Sequence, residues 1–345
     1  MAKIPVDRFD SGDAADGPYD GGVSAEPWFL PEPARDALTL PSAPRSDPGK
    51  LIDRGGWDAA QAALAGDLAR LALLYGALEE RLRAGAPGLR HRLALREAAE
   101  LSWSVGDRIS AERLGLWEAL RLSGVQDDAQ GLVRASWAMR RLVGGAGPWP
   151  GAAMAAFMGR QGLSDDIQDL DDFSGTLSDL HPVTQAAALA QRWQMLGHSG
   201  PTRMIEAAVL TGRIAAGMGR GGADQGFVPQ ATAGRMMSQG SSPQDTLESW
   251  ISGANHATLG ALIYLDRVSA WHIRAAQALA DLQGRTPGLL LDVLTEWPMV
   301  SAPMAEQTIG ANKATVLRNL AIMQARGLVR EVTGQGRYRV WTAQV

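Results

Sequence analysis

The sequence contains no cysteine among its 345 residues, which excludes disulfide bonds and thiolate metal sites. It also lacks any apolar run of about 18 residues, and no apolar segment preceded by basic residues begins the chain, so we expect a cytoplasmic protein without a membrane segment. Catalytic signatures are missing as well. No Gly-x-Ser-x-Gly elbow occurs, and metal-ligand spacing is lacking among the five histidines, which are His91, His181, His198, His256 and His272. The sequence therefore predicts no metal, no cofactor and no enzyme activity.

An overall excess of positive charge is also missing. The 33 Lys and Arg residues face 37 Asp and Glu residues, so the chain as a whole has no electrostatic attraction to nucleic acid. The charge is nevertheless uneven, because residues 286–345 hold six basic and four acidic side chains. That segment is +2, which leaves −6 on the remainder of a chain whose net charge is −4. Any contact with DNA must therefore be local.

The first 45 residues are dominated by Asp, Gly, Pro and Ser, with one apolar island at Trp28-Phe29-Leu30. This composition predicts a flexible arm with a docking segment. Residues 46–285 are rich in Ala, Leu and Arg, and apolar residues recur at three- and four-residue steps. We expect an all-helical domain there, used for dimerisation or ligand sensing, in which the tryptophans anchor helix packing.

The expected helices of this domain have identifiable ends. Asp58 can cap a helix that continues to Leu82, and Gly106 divides the apolar pattern of residues 89–122 into two helices. Further helical patterns cover residues 129–143, 183–197, 201–218 and 243–282, with Gly253 or Gly260 as a possible division of the last.

Two segments of the helical domain superficially resemble ligand sites. The acidic cluster at residues 164–172 contains Asp165, Asp166, Asp169, Asp171 and Asp172, but it lacks the glycine and the closing glutamate of a calcium loop. Residues 219–226 are glycine-rich but lack the Gly-Lys-Ser/Thr ending of a phosphate loop. We therefore interpret the first as a solvated segment and the second as a flexible connector.

Residues 286–345 have the order of elements of a winged helix-turn-helix domain. Thr286 and Ser301 can each cap a helix, predicted at 287–296 and 302–308, with proline in the first turn of both. A short turn at 309–312 then leads to a third helix at 313–326. Two short helices that meet across a few residues form a helix-turn-helix, whose second helix enters the major groove of DNA.

The recognition helix at 313–326 has one apolar face. At ~100° per residue, Val316, Leu320 and Met323 fall within about 60° of one another, and Arg318 lies almost opposite. Ala314, Ala321 and Ala325 lie beside Arg318, with Thr315 at the edge, so this face can approach a groove closely. An arginine can bind guanine with two hydrogen bonds, and Thr or Ala can contact a thymine methyl group. The DNA contacts predicted on this helix are Asn312, Lys313, Ala314, Thr315 and Arg318.

A basic wing is predicted at residues 333–341. Thr333-Gly334-Gln335-Gly336 is a tight-turn signal between a strand at 328–332 and the alternating segment 337–341. Alternation places Tyr338 and Val340 against the core and Gln335, Arg337 and Arg339 on the opposite face. That face suits phosphates or the minor groove.

The segment from Arg326 to Trp341, together with Arg318-Asn319-Leu320, closely resembles the C-terminal helix-turn-helix domain of an alphaproteobacterial, often plasmid-borne family. In that family the domain follows a helical domain of unknown function, and the resemblance extends more loosely over residues 181–284. It implies a sequence-specific DNA-binding protein.

The wing also resembles the C-terminal winged helix of Fic-type AMP-transferases, and Leu95-Arg96-Glu97-Ala98 resembles their N-terminal helix. Their chemistry uses a His-Pro-Phe segment followed by an acidic residue and Gly-Asn-Gly-Arg. Here His181-Pro182 is followed by Val183-Thr184-Gln185-Ala186, with neither the acidic residue nor the phosphate cradle. We therefore expect His181 to be a structural or capping residue.

Together these patterns predict a mainly α protein with a helical body and a C-terminal winged helix-turn-helix domain. We expect it to act as a transcriptional regulator that binds double-stranded DNA as a homodimer and responds to a small-molecule effector of unknown identity. The alternatives are a helical protein–protein interaction module of a plasmid maintenance system and a catalytically inactive Fic-like scaffold.

Overall fold

The computed structural model describes residues 53–345 except 120–121, 123–126, 146, 149–151, 160–169, 171–172, 196–202, 231–241 and 335–337. The predicted N-terminal arm with Trp28-Phe29-Leu30, the acidic residues Asp165, Asp166, Asp169, Asp171 and Asp172, and the wing residues Gln335 and Arg337 lie outside the described residues. Residues 46–345 form one compact unit.

Helices dominate the described residues. Those before the C-terminal region are α1 (Arg54–Ala63), α2 (Ala65–Ala84), α3 (Gly88–Ser104), α4 (Ala111–Glu118), α5 (Ala129–Val143), α6 (Ala152–Met158), α7 (Pro182–Met195), α8 (Arg203–Ala215), α9 (Gly222–Gln225) and α10 (Pro243–Ala278). The C-terminal region contains α11 (Thr286–Glu296), β1 (Val300–Ser301), α12 (Ala302–Ile309), α13 (Lys313–Ala325), β2 (Val329–Glu331) and β3 (Val340–Ala343). The predicted mainly α fold with a C-terminal helix-turn-helix is therefore confirmed. No helix in the described ranges is long and apolar enough to cross a membrane.

The first helical segment differs from its prediction. The cap is Asp53, whose side chain accepts a hydrogen bond from the Gly56 amide at 2.8 Å, because the helix begins five residues earlier than expected. Asp58 instead lies within α1 and pairs with Arg54 at 3.1 Å. A break at Leu64 then separates α1 from α2, so the single predicted helix is two.

The sequence predicted a helix break at Gly106 and a possible one at Gly253 or Gly260, and only the break at Gly106 is present. Gly106 has a φ of 85° and divides α3 from α4 as predicted, since this left-handed conformation ends a helix. Helix α10, in contrast, continues for 36 residues through Gly253 and Gly260. Its buried side chains pack against α1, α2 and α7, and this packing outweighs the low helix propensity of glycine, about 1 kcal/mol per residue.

The glycine-rich segment 219–226, which we interpreted as a flexible connector, has local structure. It contains the short helix α9, and the carboxylate of Glu79 on α2 accepts hydrogen bonds from the amides of Arg220 at 2.9 Å and Gly221 at 2.7 Å. Glycine at position 219 lets the backbone approach this carboxylate, because a Cβ at Gly219 would meet Glu79 Oε2 at 2.7 Å.

Two apolar clusters form the core. One joins α1 to α8 with the first half of α10, and the other joins the C-terminal region with Trp271, Ala275 and Leu279 from the end of α10. The indole of Trp271 also donates to the carbonyl of Leu328 at 2.9 Å. Helix α10 therefore belongs to both cores, and the C-terminal core extends to residues before the boundary predicted at Arg285. That boundary coincides with the turn between α10 and α11.

Candidate nucleic-acid interface

The C-terminal region forms three helices and a small antiparallel sheet in the strand order β1-β3-β2. Val300 is opposite Trp341 across β1 and β3, and Val329 is opposite Ala343 across β2 and β3. The amide of Val332 donates to the carbonyl of Val340 at 2.9 Å and continues the pairing beyond β2. This order of helices and strands is the winged helix-turn-helix arrangement that the sequence predicts.

The turn between α12 and α13 is fixed by local hydrogen bonds. Gly310 ends α12 in the left-handed conformation, with a φ of 66°, which a residue with a side chain adopts only at a cost. The side chain of Asn312 then accepts from the amide of Thr315 at 2.9 Å and caps α13. The oxygen of Asn312 is therefore engaged in the helix, and a DNA contact by this residue would use its amide nitrogen.

The C-terminal end of the recognition helix has a Schellman motif. The Leu328 amide donates to the Met323 carbonyl at 2.9 Å and the Gly327 amide to the Gln324 carbonyl at 3.0 Å, with Gly327 at a φ of 67°. This arrangement satisfies the last carbonyls of α13 and turns the chain into β2. This motif thus sets the direction in which the chain leaves the recognition helix toward the wing.

The two faces of α13 are as predicted. Val316, Leu320 and Met323 are fully buried in the C-terminal core. The side chains on the opposite face are exposed, and they are Ala314, Arg318, Ala321 and Ala325; Asn312 and Lys313 at the beginning of the helix are exposed as well. Thr315 at the edge is half-buried. Angular position alone predicted this division, because each turn of the helix repeats the same environment.

One residue of α13 departs from the apolar pattern. Asn319 is only 6% exposed, and its side-chain nitrogen donates to the Thr315 carbonyl at 2.8 Å. The buried amide is thereby satisfied within its own helix. A polar residue next to the buried stripe was the available sequence signal, but the sequence does not say which partner the side chain finds.

The basic residues of the C-terminal region fall into two groups. Arg326 pairs with Asp281 through bonds of 2.6 and 2.8 Å, and Arg330 pairs with Glu112 on α4. The hydrogen bonds that they donate to these carboxylates raise the pKa of both arginines. Lys313 and Arg318, in contrast, have no ion-pair partner within the part of the chain that the structure describes. Among these four described residues, the charge available to a phosphate or a base is therefore that of Lys313 and Arg318 on α13.

The wing corrects the prediction for Tyr338. Its side chain is 67% exposed and its φ is 60°, whereas alternation placed it against the core. The reason is that β3 begins only at Val340, so residue 338 belongs to the turn and the strand phase does not extend to it. Val340 is buried as predicted. Arg339 is half-buried with its guanidinium 4.9 Å from the centre of the Trp341 ring, and its contact with DNA stays a prediction.

The base of the wing is held by Glu331. Its carboxylate accepts from the amides of Thr333 at 2.8 Å and Gly334 at 3.2 Å and from the Thr333 hydroxyl. Burial raises the pKa of Glu331, but these hydrogen bonds and the charge of Arg339 outweigh it and lower the pKa below its usual value. The carboxylate is therefore ionised at neutral pH and organises the turn.

The opposite side of the winged helix is fixed to the helical body by a reciprocal pair of helix caps. Arg92 on α3, only 3% exposed, donates to the carbonyls of Leu294 and Trp297 at 2.7 Å each and of Thr295 at 3.1 Å. These are the unpaired carbonyls at the end of α11. Glu296 in turn accepts from the amide of Gly88, the first residue of α3, at 2.9 Å. Each helix end thus receives the charge that its dipole favours.

His181 has the capping role that the sequence suggests. Its ring nitrogen Nδ1 accepts from the Val183 amide at 3.2 Å at the beginning of α7, and its own amide donates to Gln61 at 2.7 Å. Burial lowers the pKa of its imidazole. No group of three or more His, Asp or Glu side chains suited to a metal occurs within the described ranges.

Comparison with known families agrees with this geometry. Residues 287–343 match the family described as HTH DNA binding domain. No curated protein matches the chain. The match begins within α11 and ends in β3, so it covers the three helices and the sheet described above. The chain therefore contains a helix-turn-helix DNA-binding domain at its C-terminal end, and it is a DNA-binding protein.

Proposed function

We propose that this protein is a transcriptional regulator that reads an operator through the exposed face of α13. The observation that carries the proposal is that Arg318 projects from that face, opposite a fully buried stripe, and that Lys313 is exposed at the beginning of the helix, both without an ion-pair partner in the described chain. The match to a DNA-binding family over residues 287–343 supports DNA binding by the domain that contains this helix.

Each exposed residue of α13 has a role in this proposal. Arg318 binds guanine, because its guanidinium can donate two hydrogen bonds to the O6 and N7 atoms in the major groove. Ala314 and Ala321 allow the helix backbone to lie close to the base edges, and Lys313 contacts a phosphate at the beginning of the helix. Tyr338 extends the interface on the wing side, since its ring is exposed there.

We expect two copies to bind together, because one recognition helix reads few base pairs and half-sites lie about one DNA turn apart in dimeric complexes. Helix α10 supports this expectation. Leu259, Ile263 and Ile273 are exposed, and at ~100° per residue they fall within about 80° of one another on one face. Since α10 also contributes to the C-terminal core, a contact between two such faces would fix the distance between two recognition helices.

On this proposal the protein is a regulator and not an enzyme. The cap that His181 forms at α7 supports this view, because its Nδ1 is occupied by a backbone amide. Residues 46–285 then provide dimerisation and sensing, and residues 286–345 contact DNA.

The test is selection from a random pool of double-stranded DNA with wild type and Arg318→Ala. We expect wild type to enrich a motif containing guanine and Arg318→Ala to lose preference at that guanine, with affinity reduced by about 1–3 kcal/mol. The matched control is Arg274→Ala, because Arg274 is an exposed arginine on α10 and not on the recognition helix.

Arg274→Ala should enrich the same motif as wild type at the same affinity. An absence of any enriched motif with wild type would refute the regulator proposal. An identical motif and affinity for wild type and Arg318→Ala would instead remove Arg318 from base recognition. Sedimentation of wild type and Ile263→Asp tests the dimer separately, and a monomeric wild type would contradict it.

A further inference from the structure

A cleft of about 470 Å³ lies where the helical body meets the wing sheet. One wall comes from α3 and α4, and the other comes from the segment before β1 and from β2 and β3. Its volume falls within the range of about 300–1,000 Å³ that small-molecule sites occupy. No residue of α13 lines the cleft, so a ligand there would not occupy the exposed face of the recognition helix.

The floor of the cleft is apolar. Leu95, Ala99 and Ile109 are buried beneath it, and Pro298 and Ala343 line the side that belongs to the C-terminal region. At the edge stands Trp103, whose side chain is 58% exposed although five other tryptophans are buried. An exposed indole beside an apolar floor provides a surface on which a flat ring can stack.

Charged groups line the rim. Arg96 pairs with Glu100 at 2.6 Å, and its guanidinium lies 4.9 Å from the centre of the Tyr264 ring. Arg330 on β2 pairs with Glu112 on α4. The lining side chains include three arginines and two glutamates, and each glutamate is the partner of one arginine, so an anion that enters the cleft must replace a glutamate. Arg92 is occupied by helix carbonyls, which leaves Arg96 and Arg330 as the arginines that an anion can reach.

We infer that this cleft binds a small aromatic carboxylate, whose ring stacks on Trp103 and whose carboxylate replaces Glu112 as the partner of Arg330. The Arg330–Glu112 pair joins the wing sheet to the helical body, so its replacement releases one of the contacts that position the wing. Ligand binding and DNA binding are thereby coupled through a shared side chain. The coupling rests on the proposed regulator function, whereas binding of the carboxylate does not.

The experiment uses the full chain and two probes of the same shape, naphthalene-2-carboxylate and naphthalene-2-carboxamide, with calorimetry in the absence of DNA. We expect one carboxylate per chain and an amide that binds about tenfold weaker, because a charge-assisted hydrogen bond is lost. Trp103→Ala should weaken carboxylate binding about fivefold, and Arg330→Gln about tenfold. The matched controls are Leu73→Ala and Arg274→Gln, which change exposed side chains on α2 and α10.

Equal binding of acid and amide, no binding of either, or the same loss in Leu73→Ala as in Trp103→Ala would overturn the site. The second readout is DNA affinity of wild type and Arg330→Gln with and without the carboxylate. A lower DNA affinity with the carboxylate, seen in wild type and absent in Arg330→Gln, supports the coupling, and an unchanged affinity overturns it. If the protein binds no DNA at all, the regulator proposal fails while calorimetry still decides the site.

Discussion

Arginines of the same small domain differ in whether their charge is paired. One on the exposed face of the recognition helix has no carboxylate partner in the described chain, whereas two others are bound to carboxylates of the preceding residues. Arg318 projects from α13 without an ion-pair partner among the described residues, whereas Arg326, at the end of the same helix, is bound to Asp281. Arg330 is likewise paired with Glu112 of the helical body. The net charge of +2 for residues 286–345 therefore overstates the charge available to DNA, because carboxylates outside the segment neutralise part of it.

The inner side of the domain also shows how much of its stability comes from the helical body. Arg92 satisfies three carbonyls at the end of α11, and Glu296 satisfies an amide at the beginning of α3. The DNA-facing side depends instead on local caps at Asn312 and Gly327. Substitutions on the inner side should thus lower the stability of the protein, and substitutions on the DNA-facing side should weaken DNA binding.

The largest effect should come from Arg92→Met. It leaves the buried carbonyls of Leu294, Thr295 and Trp297 without their charged donor, so we expect a loss of about 3 kcal/mol in the free energy of unfolding. Urea denaturation measures it as a lower midpoint at constant slope. The matched control is Arg96→Met, one turn further along α3 and half-exposed, for which we expect less than about 1 kcal/mol. Equal losses would show that the caps do not hold the domain to the body.

A smaller effect is expected at Gly88, where α3 and α11 are in close contact. A Cβ there would lie 2.3 Å from the Glu296 side chain and 2.9 Å from its carbonyl, so Gly88→Ala should destabilise the protein by about 1–3 kcal/mol. Gly76 on α2 has no atom within 4 Å of a built Cβ. Gly76→Ala should therefore stabilise by about 1 kcal/mol, since alanine favours a helix. Calorimetric melting of both variants checks the opposite signs, and a shift of the same sign in both would contradict the close contact.

The salt dependence of DNA binding sharpens the comparison between the two groups of basic residues. Lys313→Ala should reduce the slope of log K against log salt by about one, because one phosphate contact is lost. Arg326→Ala should leave the slope unchanged, since Asp281 already occupies that guanidinium. Fluorescence anisotropy on the selected DNA at several salt concentrations gives both slopes. The assignment fails if Arg326→Ala lowers the slope as much as Lys313→Ala does.

The smallest effect concerns pH. Hydrogen bonds from Arg326 hold the pKa of Asp281 below its ordinary value of 3.8. A lowered pKa in the folded state means that the carboxylate contributes stability above 3.8 and that this contribution is lost as the pH falls through the lowered value. The difference in urea midpoint between wild type and Asp281→Asn should therefore be constant from pH 7 to 5 and shrink below about pH 4. Glu248→Gln, an exposed carboxylate on α10, is the control without such a partner.

Much of the recognition helix could be predicted from the sequence. Val316, Leu320 and Met323 are buried, and Arg318 is exposed, because a helix repeats its environment at fixed angles. The caps at Ser301 and Asn312 were also predictable, since a side-chain oxygen three residues before an amide satisfies it locally.

The wing was less predictable. Alternation placed Tyr338 in the core, but it holds only inside a strand, and hydrogen bonding to β1 and β2 fixes the beginning of β3 at Val340. Two predicted caps were also wrong, since Asp58 lies within α1, whose cap is Asp53, and Thr286 is the first residue of α11, where Arg285 holds the cap position without a side-chain hydrogen bond. Because α1 begins directly after Asp53, it includes Trp57 and Ala60, and both side chains are buried in the core.

By itself the sequence determined features that depend on neighbours along the chain, which are the order of the C-terminal helices, the caps at Ser301 and Asn312 and the face of α13 that is exposed. The tertiary structure alone decided which charges remain free. Arg92 lies 202 residues from Leu294 and Arg330 lies 218 residues from Glu112, so no local pattern relates them. Burial against a distant helix determines their partners, and those partners leave Arg318 on the side of the domain that we propose reads DNA.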